Sequence, residues 1–349
     1  MTDVLKGTRG IFLGLMAAAA LVLAGSAFAQ DGDSDYRIYV SNEYGTGITV
    51  LDGDTYEEID YIEITDRPGE VRPRGMGPSP DGRIIYVAVS DFFPQLETPD
   101  DKLVGIDVLS GEVAIEINAG GNPERLYVSP DGKQIWAALE AIAQGGGYWT
   151  ETGEEIATFR VGVEPEGVAV SPDGRFVYLS AEATHTTTVY DIENDEVVKH
   201  ILVGNRPREV QFTPDGRFAY VSAEIGGTVS VIDTETLEVV ETVNLGLDSR
   251  PVEMAVAPDG DRIYVAGGGT NAVYVISVPD HEVVETITEN MGRRPWGIAV
   301  TPDGKRVFTA NGLSDSVSVI DTDCLCVVDN IEAGRGPHSV EIGVVPHED

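Results

Sequence analysis

The tripeptide Pro-Asp-Gly occurs six times in this chain, at nearly constant spacing. Its prolines lie 50, 42, 42, 44 and 44 residues apart, at Pro80, Pro130, Pro172, Pro214, Pro258 and Pro302. A period of ~40–45 residues is typical of a four-stranded β-propeller blade. A blade cannot bury its apolar residues alone, so such a repeat predicts units that stack on one another.

The unit around Pro214 shows how each period is divided. "REVQFTPDG" (208–216) is a short strand that ends in a Pro-Asp-Gly turn. "RFAYVSAE" and "TVSVIDTET" are two further strands, separated by glycines, and "LEVVETVNLG" is the fourth. Small and apolar residues occupy both faces of these strands, which is typical of sheets that are covered on both sides.

The two ends of the chain predict a seventh unit. Residues 35–64 contain strands two to four of a unit and lack its first strand, whereas residues 334–343 form a first strand with nothing after it. Joining them gives an all-β, seven-bladed β-propeller, one domain over residues 30–349, closed by N-terminal strands that pair with the C-terminal strand. An open six-unit solenoid leaves both end fragments unexplained.

Two units depart from the pattern. The unit around Pro80 has a long middle loop, "SDFFPQLETPDDK", which contains Phe92 and Phe93. The unit around Pro130 carries three consecutive glycines, Gly145 to Gly147, where its third strand is expected. Glycine weakens a strand interior, so the sequence specifies this strand least well.

The N-terminus has the pattern of a cleavable signal peptide. Lys6 and Arg9 precede a short apolar run over residues 11–25, and small residues follow at Ala27 and Ala29. The run is shorter than the ~20 residues of a membrane span, which argues against a retained anchor. We therefore expect residues 1–29 to be removed, leaving an exported protein with no membrane insertion.

The chain is strongly acidic, with 59 Asp and Glu against 23 Lys and Arg and a formal net charge of −36. Such a surface repels nucleic acid and anionic lipid, which excludes both as expected partners. The charge also repels itself unless salt screens it, so it predicts a halophilic source.

Cys324 and Cys326 are the two cysteines of the chain. Alignment of the repeats sets them opposite Thr236 and Glu238, at the start of an outer strand and on one face. Two free thiols or one local disulfide are the favoured interpretations. A metal site is not expected, because no His or Met lies nearby in sequence.

Several phrases resemble the YVTN-type β-propeller repeat: "YVSN" (39–42), "YVSAE" (220–224) and "GTVSVIDTET" (227–236). "GVEPEGVAVSPDG" and "TPDGKRVFTANGLSDSVSVID" are similar to the PQQ-dependent catabolism-associated β-propeller proteins of Gram-negative bacteria. The resemblance implies a seven-bladed propeller in the periplasm that serves quinoprotein alcohol oxidation. It implies a quinoprotein dehydrogenase or transport-system components as partners, and PQQ as a possible ligand rather than a cofactor. It implies no reaction.

Positive charge is concentrated where each unit begins. One residue follows the proline of each first strand: Arg74, Glu124, Glu166, Arg208, Val252, Trp296 and His338. Because first strands are innermost in a propeller, these residues are expected at one mouth of the central channel. With Arg250 and Arg294 just outside, the predicted ligand-binding residues are Arg74, Glu124, Glu166, Arg208, Arg250, Arg294, Trp296 and His338, and the expected ligand is a small anion. The alternative is structural, with Arg74–Glu124 and Glu166–Arg208 pairs tying adjacent blades together.

No catalytic or metal-binding motif was recognised. The sequence therefore favours a non-enzymatic binding or interaction protein. One alternative is a lactonase-like or Ca²⁺-dependent hydrolase that uses Glu124 and Glu166. Another is a scaffold that holds a second periplasmic protein through Phe92 and Phe93.

Overall fold

The structure is a computed structural model and describes residues 36–67, 70–92 and 101–346. The expected signal peptide, residues 1–29, lies outside the described residues, as does Phe93. Within the described part of the chain, no helix is long and apolar enough to cross a membrane.

In this part of the chain, 28 strands form seven four-stranded antiparallel sheets. Blades 1 to 3 contain β4 to β15: Val71–Pro78, Ile84–Asp91, Lys102–Asp107, Val113–Ile117; Pro123–Val128, Gln134–Leu139, Gln144–Trp149, Glu155–Arg160; Pro165–Val170, Phe176–Ala181, Thr186–Asp191, Glu196–Leu202. Blades 4 to 6 contain β16 to β27: Pro207–Phe212, Phe218–Ala223, Thr228–Asp233, Glu238–Asn244; Pro251–Val256, Arg262–Gly267, Ala272–Ser277, Glu282–Ile287; Pro295–Val300, Arg306–Asn311, Ser316–Asp321, Cys326–Glu332. Blade 7 contains the C-terminal strand β28 and the N-terminal strands β1 to β3: Pro337–Val344, Tyr36–Asn42, Gly47–Asp52, Glu58–Glu63. A 3₁₀ turn, Glu140–Ile142, joins β9 to β10.

Blade 7 closes the ring as the sequence predicts. Its strand order is β28-β1-β2-β3, and Val340 of β28 lies opposite Val40 of β1 in an antiparallel pair. The seven-bladed propeller and its closure are therefore confirmed. Closure gives both terminal strands a hydrogen-bonded partner.

The first strand of each blade is the innermost. These strands contact one another in the order β4, β8, β12, β16, β20, β24 and β28, and β28 returns to β4. Glycine permits the close approach: a Cβ atom at Gly75 of β4 would lie 2.8 Å from Arg125 Cα of β8. Burial decreases outward, since β12 is buried along its length whereas the outer strand β23 is exposed at five of six residues.

The glycine run of blade 2 forms a regular strand, β10. A Cβ atom at Gly147 would lie 2.5 Å from the ring of Trp136 on the paired strand β9. The glycines leave room for aromatic rings, because Trp136 is buried and packs beside Phe159 and Tyr190. Blade 2 therefore has its third strand. The ring of Trp136 fills the space that a side chain at Gly147 would occupy.

Candidate functional site

A cavity of about 240 Å³ lies at the end of the channel where the inner strands begin. Six of the seven residues that follow the inner-strand prolines line it: Arg74, Glu124, Glu166, Arg208, Trp296 and His338. The seventh, Val252, lines an adjoining cavity of about 310 Å³ together with Arg250. Arg294 and Trp296 line both cavities. We call this region the mouth.

Arg74 is buried and paired with two carboxylates. Its Nη1 donates to Glu124 Oε1 at 2.6 Å, and its Nη2 lies 2.5 Å from Glu124 Oε2 and 3.7 Å from Glu166 Oε1. The three residues belong to the inner strands of blades 1, 2 and 3. The predicted Arg74–Glu124 tie is thus present, and a Ca²⁺ ion between Glu124 and Glu166 would face this guanidinium.

Arg208 is the centre of a second buried cluster. Its Nη1 lies 2.9 Å from Glu166 Oε1, and its Nε and Nη2 donate to Glu224 Oε2 at 2.8 and 2.6 Å. It also forms an ion pair with Glu182. Because three carboxylates already satisfy it, Arg208 holds blades 3 and 4 together.

Three other arginines form the rim of the mouth: Arg206, Arg250 and Arg294. Arg206 donates from Nε to Glu182 at 2.6 Å but keeps 39% of its side chain exposed. Arg250 is 51% exposed, and its Nη1 is 3.9 Å from Glu224 Oε1. Arg294 is exposed and lies over the Trp296 ring, 4.8 Å from the centroid. The rim arginines are thus more accessible to a ligand than Arg74 or Arg208.

The rim arginines also share a backbone conformation that favours glycine. Each precedes an inner-strand proline, with φ of 58° at Arg206, 48° at Arg250 and 56° at Arg294. Gly336 occupies the same place in blade 7, with φ of 61°. Left-handed backbone costs a non-glycine residue about 1 kcal/mol, so arginine at these positions is not explained by backbone stability.

This conformation gives a stability prediction. Arg250→Gly should unfold at a higher temperature than Arg250→Ala, by the equivalent of about 1 kcal/mol, because glycine adopts φ of 48° without a Cβ clash. Thermal unfolding followed by circular dichroism measures the difference. If the alanine variant is equally or more stable, the left-handed conformation does not limit this position.

Trp296 and His338 form the apolar side of the mouth. The guanidinium of Arg208 lies 5.0 Å from the Trp296 ring centroid, and the His338 ring is 5.5 Å from it. His338 Nε2 is 3.3 Å from Arg74 Nη2. Because a guanidinium only donates, Nε2 must accept, so His338 is the neutral tautomer with its proton on Nδ1. Burial, followed by Arg74 and other nearby arginines, lowers the pKa of His338 well below its usual range.

Buried nitrogen donors at the mouth lack acceptors. Arg72 Nε, Arg74 Nε and His338 Nδ1 are inaccessible to solvent and make no hydrogen bond with the described residues. Two of the atoms without a hydrogen bond lie in ion pairs, since Glu124 Oε2 faces Arg74 and Arg74 Nε is 3.9 Å from Glu43 Oε1. Buried polar groups in proteins are normally satisfied, so Arg72 Nε and His338 Nδ1 are exceptions to this rule.

The sequence reasoning missed a second ring of mouth residues. Glu43, Glu140, Glu182 and Glu224 each follow the second strand of a blade, in "YVSNE", "WAALE", "YLSAE" and "YVSAE", and all line the two cavities. Their equivalent place in the repeat was the available signal. Burial, followed by repulsion from Glu166, raises the pKa of Glu182 to about 7.

The channel below the mouth holds a further ionic cluster. Arg125 Nη1 lies 3.0 Å from Glu209 Oε2, and Arg125 also pairs with Glu253. Burial, followed by Glu209, raises the pKa of Glu341 to about 8, and Arg125 opposes the shift. No group of three His, Cys, Asp or Glu among the described residues has the arrangement of a metal site.

Phe92 lies at the edge of the mouth. Its ring is 6.3 Å from that of Tyr44, and the Arg72 guanidinium is 5.2 Å from its centroid. Phe92 therefore packs onto its own domain.

Comparison with known proteins finds one matching family and several solved structures with a similar fold. The model of the family described as "Cytochrome D1 heme domain" matches residues 151–349, more than half of the chain. No curated protein matches.

Three solved structures are similar over most of the chain. A protein of unknown function from Desulfotomaculum acetoxidans is 18% identical, with a TM-score of 0.75, covering 90% of this chain and 100% of that one. A candidate 6-phosphogluconolactonase of Bacteroides uniformis is 16% identical (TM-score 0.72; 88% and 100%). The dihydro-heme d1 dehydrogenase NirN is 18% identical (TM-score 0.66; 89% and 76%). At these identities the likeness concerns the fold alone.

Proposed function

Since the chain belongs to the cytochrome D1 heme domain family, we propose that it is a ligand-binding propeller, and that its ligand is a small carboxylate-bearing anion held at the mouth. It carries out no reaction of its own in this proposal. The rim arginines and Trp296 would contact the ligand, while the buried Arg74 and Arg208 clusters keep the mouth in shape.

The family name implies haem, and the mouth does not fit a haem bound through histidine. Haem iron is commonly held by an axial imidazole nitrogen. Among the described residues that line the mouth, His338 is the one imidazole, with Nε2 engaged by Arg74 and Nδ1 buried. We therefore derive no chemistry through haem.

One observation carries the choice of an anion: the rim of the mouth presents three accessible guanidinium groups, those of Arg206, Arg250 and Arg294. A ligand rich in acceptor oxygens can accept hydrogen bonds from these guanidinium groups, which only donate. Carboxylates pair with guanidinium groups in bidentate fashion, and the rim supplies three guanidinium groups.

PQQ is the first ligand to test, because it carries carboxylates and because the repeats resemble those of PQQ-associated propellers. On this proposal the protein is exported to the periplasm and serves a quinoprotein dehydrogenase or transport-system components there. The resemblance supports this setting together with the N-terminal pattern of residues 1–29.

A thermal-shift panel tests the proposal, with PQQ, citrate, acetate, Ca²⁺ and a sugar lactone as additions. A ligand at 100 times its Kd adds about 2.7 kcal/mol, which is easily detected. We expect PQQ or citrate to raise Tm and Ca²⁺ to leave it unchanged. A shift with Ca²⁺ alone, or turnover of the lactone, would favour the hydrolase alternative.

Anion binding should strengthen as pH falls from 8 to 6. Above pH 7 an ionised Glu182 competes with the ligand for Arg206; below pH 7 Glu182 is protonated and releases this guanidinium. If binding requires one proton on Glu182, the affinity for the ligand changes by at most about tenfold per pH unit above the pKa of Glu182. Titration calorimetry at several pH values measures this change.

Glu182→Gln tests the origin of the pH dependence. This variant should bind at pH 8 as tightly as the parent binds at pH 6, with little dependence on pH. Glu196→Gln, at an exposed position of the same blade, is the matched control and should behave as the parent. An unchanged pH profile in Glu182→Gln would contradict the assignment.

A further inference from the structure

The disulfide between Cys324 and Cys326 lies outside the mouth and has no role in the proposed binding. It resolves the alternatives that the sequence leaves open in favour of a local disulfide. Both cysteines are exposed, and Leu325 between them packs onto the neighbouring core. The bond crosses the turn that leads from β26 into β27.

The propeller makes the same turn without cysteines. In blade 4, Leu237 has φ of 55°, and Thr236 N donates to Asp233 Oδ1 at 2.9 Å. In blade 6, Leu325 has φ of 51°, and Cys324 N donates to Asp321 Oδ1 at 3.1 Å. The outer strands also have the same register, with Asp233 opposite Glu238 and Asp321 opposite Cys326. The Asx turn and the left-handed leucine therefore define the turn, and the disulfide is not needed to form it.

The disulfide also closes too short a segment to act as an effective cross-link. Its cysteines are separated by 2 in sequence. The unfolded-state entropy that a disulfide removes grows with the length of the closed loop, so this one removes little. Neither turn geometry nor chain entropy explains two exposed cysteines here.

A groove of about 340 Å³ lies beside Cys326, between residues 285–290 and 325–327. It gives a second molecule room next to the disulfide. Glu285 and Glu289 line it, and Asp321 and Asp323 lie close in sequence to Cys324. The surroundings are acidic, so an anionic thiol is repelled and a neutral or basic one is not.

We propose that Cys324–Cys326 is a thiol–disulfide exchange site for a neutral or basic polypeptide segment that carries two thiols. A thiolate of that segment attacks Cys326 Sγ, forming a mixed disulfide and releasing Cys324 as a thiolate that takes up a proton. The second thiolate of the segment then attacks the segment's first sulfur, which is bonded to Cys326 in the mixed disulfide. This forms a disulfide within the segment and releases Cys326 as a thiolate that takes up a proton. The segment is oxidised to a disulfide, and Cys324–Cys326 is reduced to two thiols by two electrons and two protons.

The first test is equilibration of the full chain, without denaturant, in mixtures of reduced and oxidised glutathione. Alkylation and mass spectrometry report the redox state directly, since the chain has two cysteines. We expect reversible reduction, with both states populated at millimolar glutathione. Tm of the reduced protein should stay within about 3 °C of the oxidised value and match that of Cys324→Ser/Cys326→Ser. A disulfide that resists reduction until the protein unfolds, or a large loss of Tm on reduction, would overturn the proposal.

The second test uses two peptides of equal length, each with two cysteines, one basic and one acidic. The oxidised protein should react at least about twofold faster with the basic peptide at low ionic strength, and added salt should remove the difference. Asp323→Asn should reduce the difference in rate between the basic and the acidic peptide. Equal rates for both peptides would contradict the proposed basic partner.

Two single-cysteine variants test which sulfur is attacked. In each variant the remaining cysteine is first converted to a mixed disulfide, Cys326 in Cys324→Ser and Cys324 in Cys326→Ser. Exchange with the basic peptide should be faster at Cys326. Faster exchange at Cys324 would contradict the assignment of Cys326 Sγ as the attacked sulfur.

Discussion

Arg208→Ala is expected to lower the free energy of unfolding by about 3–5 kcal/mol, the usual loss when one partner of a buried ion pair is removed. Arg208 is buried against Glu166, Glu182 and Glu224, and the alanine variant leaves these carboxylates without their shared guanidinium. Denaturant unfolding at neutral pH measures the loss.

Arg250→Ala is the control for this prediction. Arg250 is half exposed and meets Glu224 at 3.9 Å, so its removal should cost less than about 1 kcal/mol. The contrast separates the buried Arg208, which holds two blades together, from the half-exposed Arg250, which does not. Equal losses in the two variants would show that this division is wrong.

Glu341→Gln is expected to stabilise the protein above pH 8. The folded-state pKa of Glu341 is about 8 against a usual value near 4.5, because the side chain is enclosed by the channel and lies near Glu209. The folded state retains this proton between these pH values while the unfolded state releases it. The protonated carboxyl therefore supports the fold fully below pH 4.5, and that support is lost as pH rises through 8.

At about 1.4 kcal/mol per pKa unit, the variant should exceed the parent by as much as roughly 5 kcal/mol at pH 9. The difference should shrink steadily toward pH 5. Tm of both proteins across this pH range measures it, with Glu332→Gln, at an exposed position of blade 6, as the control. A constant difference at all pH values would mean that Glu341 titrates normally.

The architecture could be read from the sequence because its signals are local. Each Pro-Asp-Gly turn and each alternating strand lies within a few residues, and the incomplete units at the two ends predicted the pairing of β1 with β28. The glycine run of blade 2 was less informative, because the space at Gly147 is taken by the ring of Trp136, eleven residues earlier.

The mouth could be predicted as a set of residues and not as a set of contacts. The place of Arg74 and Glu124 in the repeat brings them to one end of the ring, but their pairing joins residues 50 apart, and its geometry depends on how closely two blades pack. Repeat position likewise does not show that Arg206 donates to Glu182 at 2.6 Å whereas Arg250, at the equivalent place, lies 3.9 Å from Glu224. The left-handed backbone of the rim follows from the path of the chain into each inner strand.

The most direct test of the binding mouth is calorimetric titration of PQQ into the parent and two triple variants. The rim variant is Arg206→Gln/Arg250→Gln/Arg294→Gln. The control, with equal loss of charge at exposed positions outside the mouth, is Arg160→Gln/Arg217→Gln/Arg262→Gln. A charge-assisted hydrogen bond contributes about 1.5–3 kcal/mol, so we predict that the rim variant binds at least about tenfold more weakly and that the control binds as the parent. Equal affinity in the two triple variants, or no binding of PQQ to the parent, would contradict a PQQ site at the mouth.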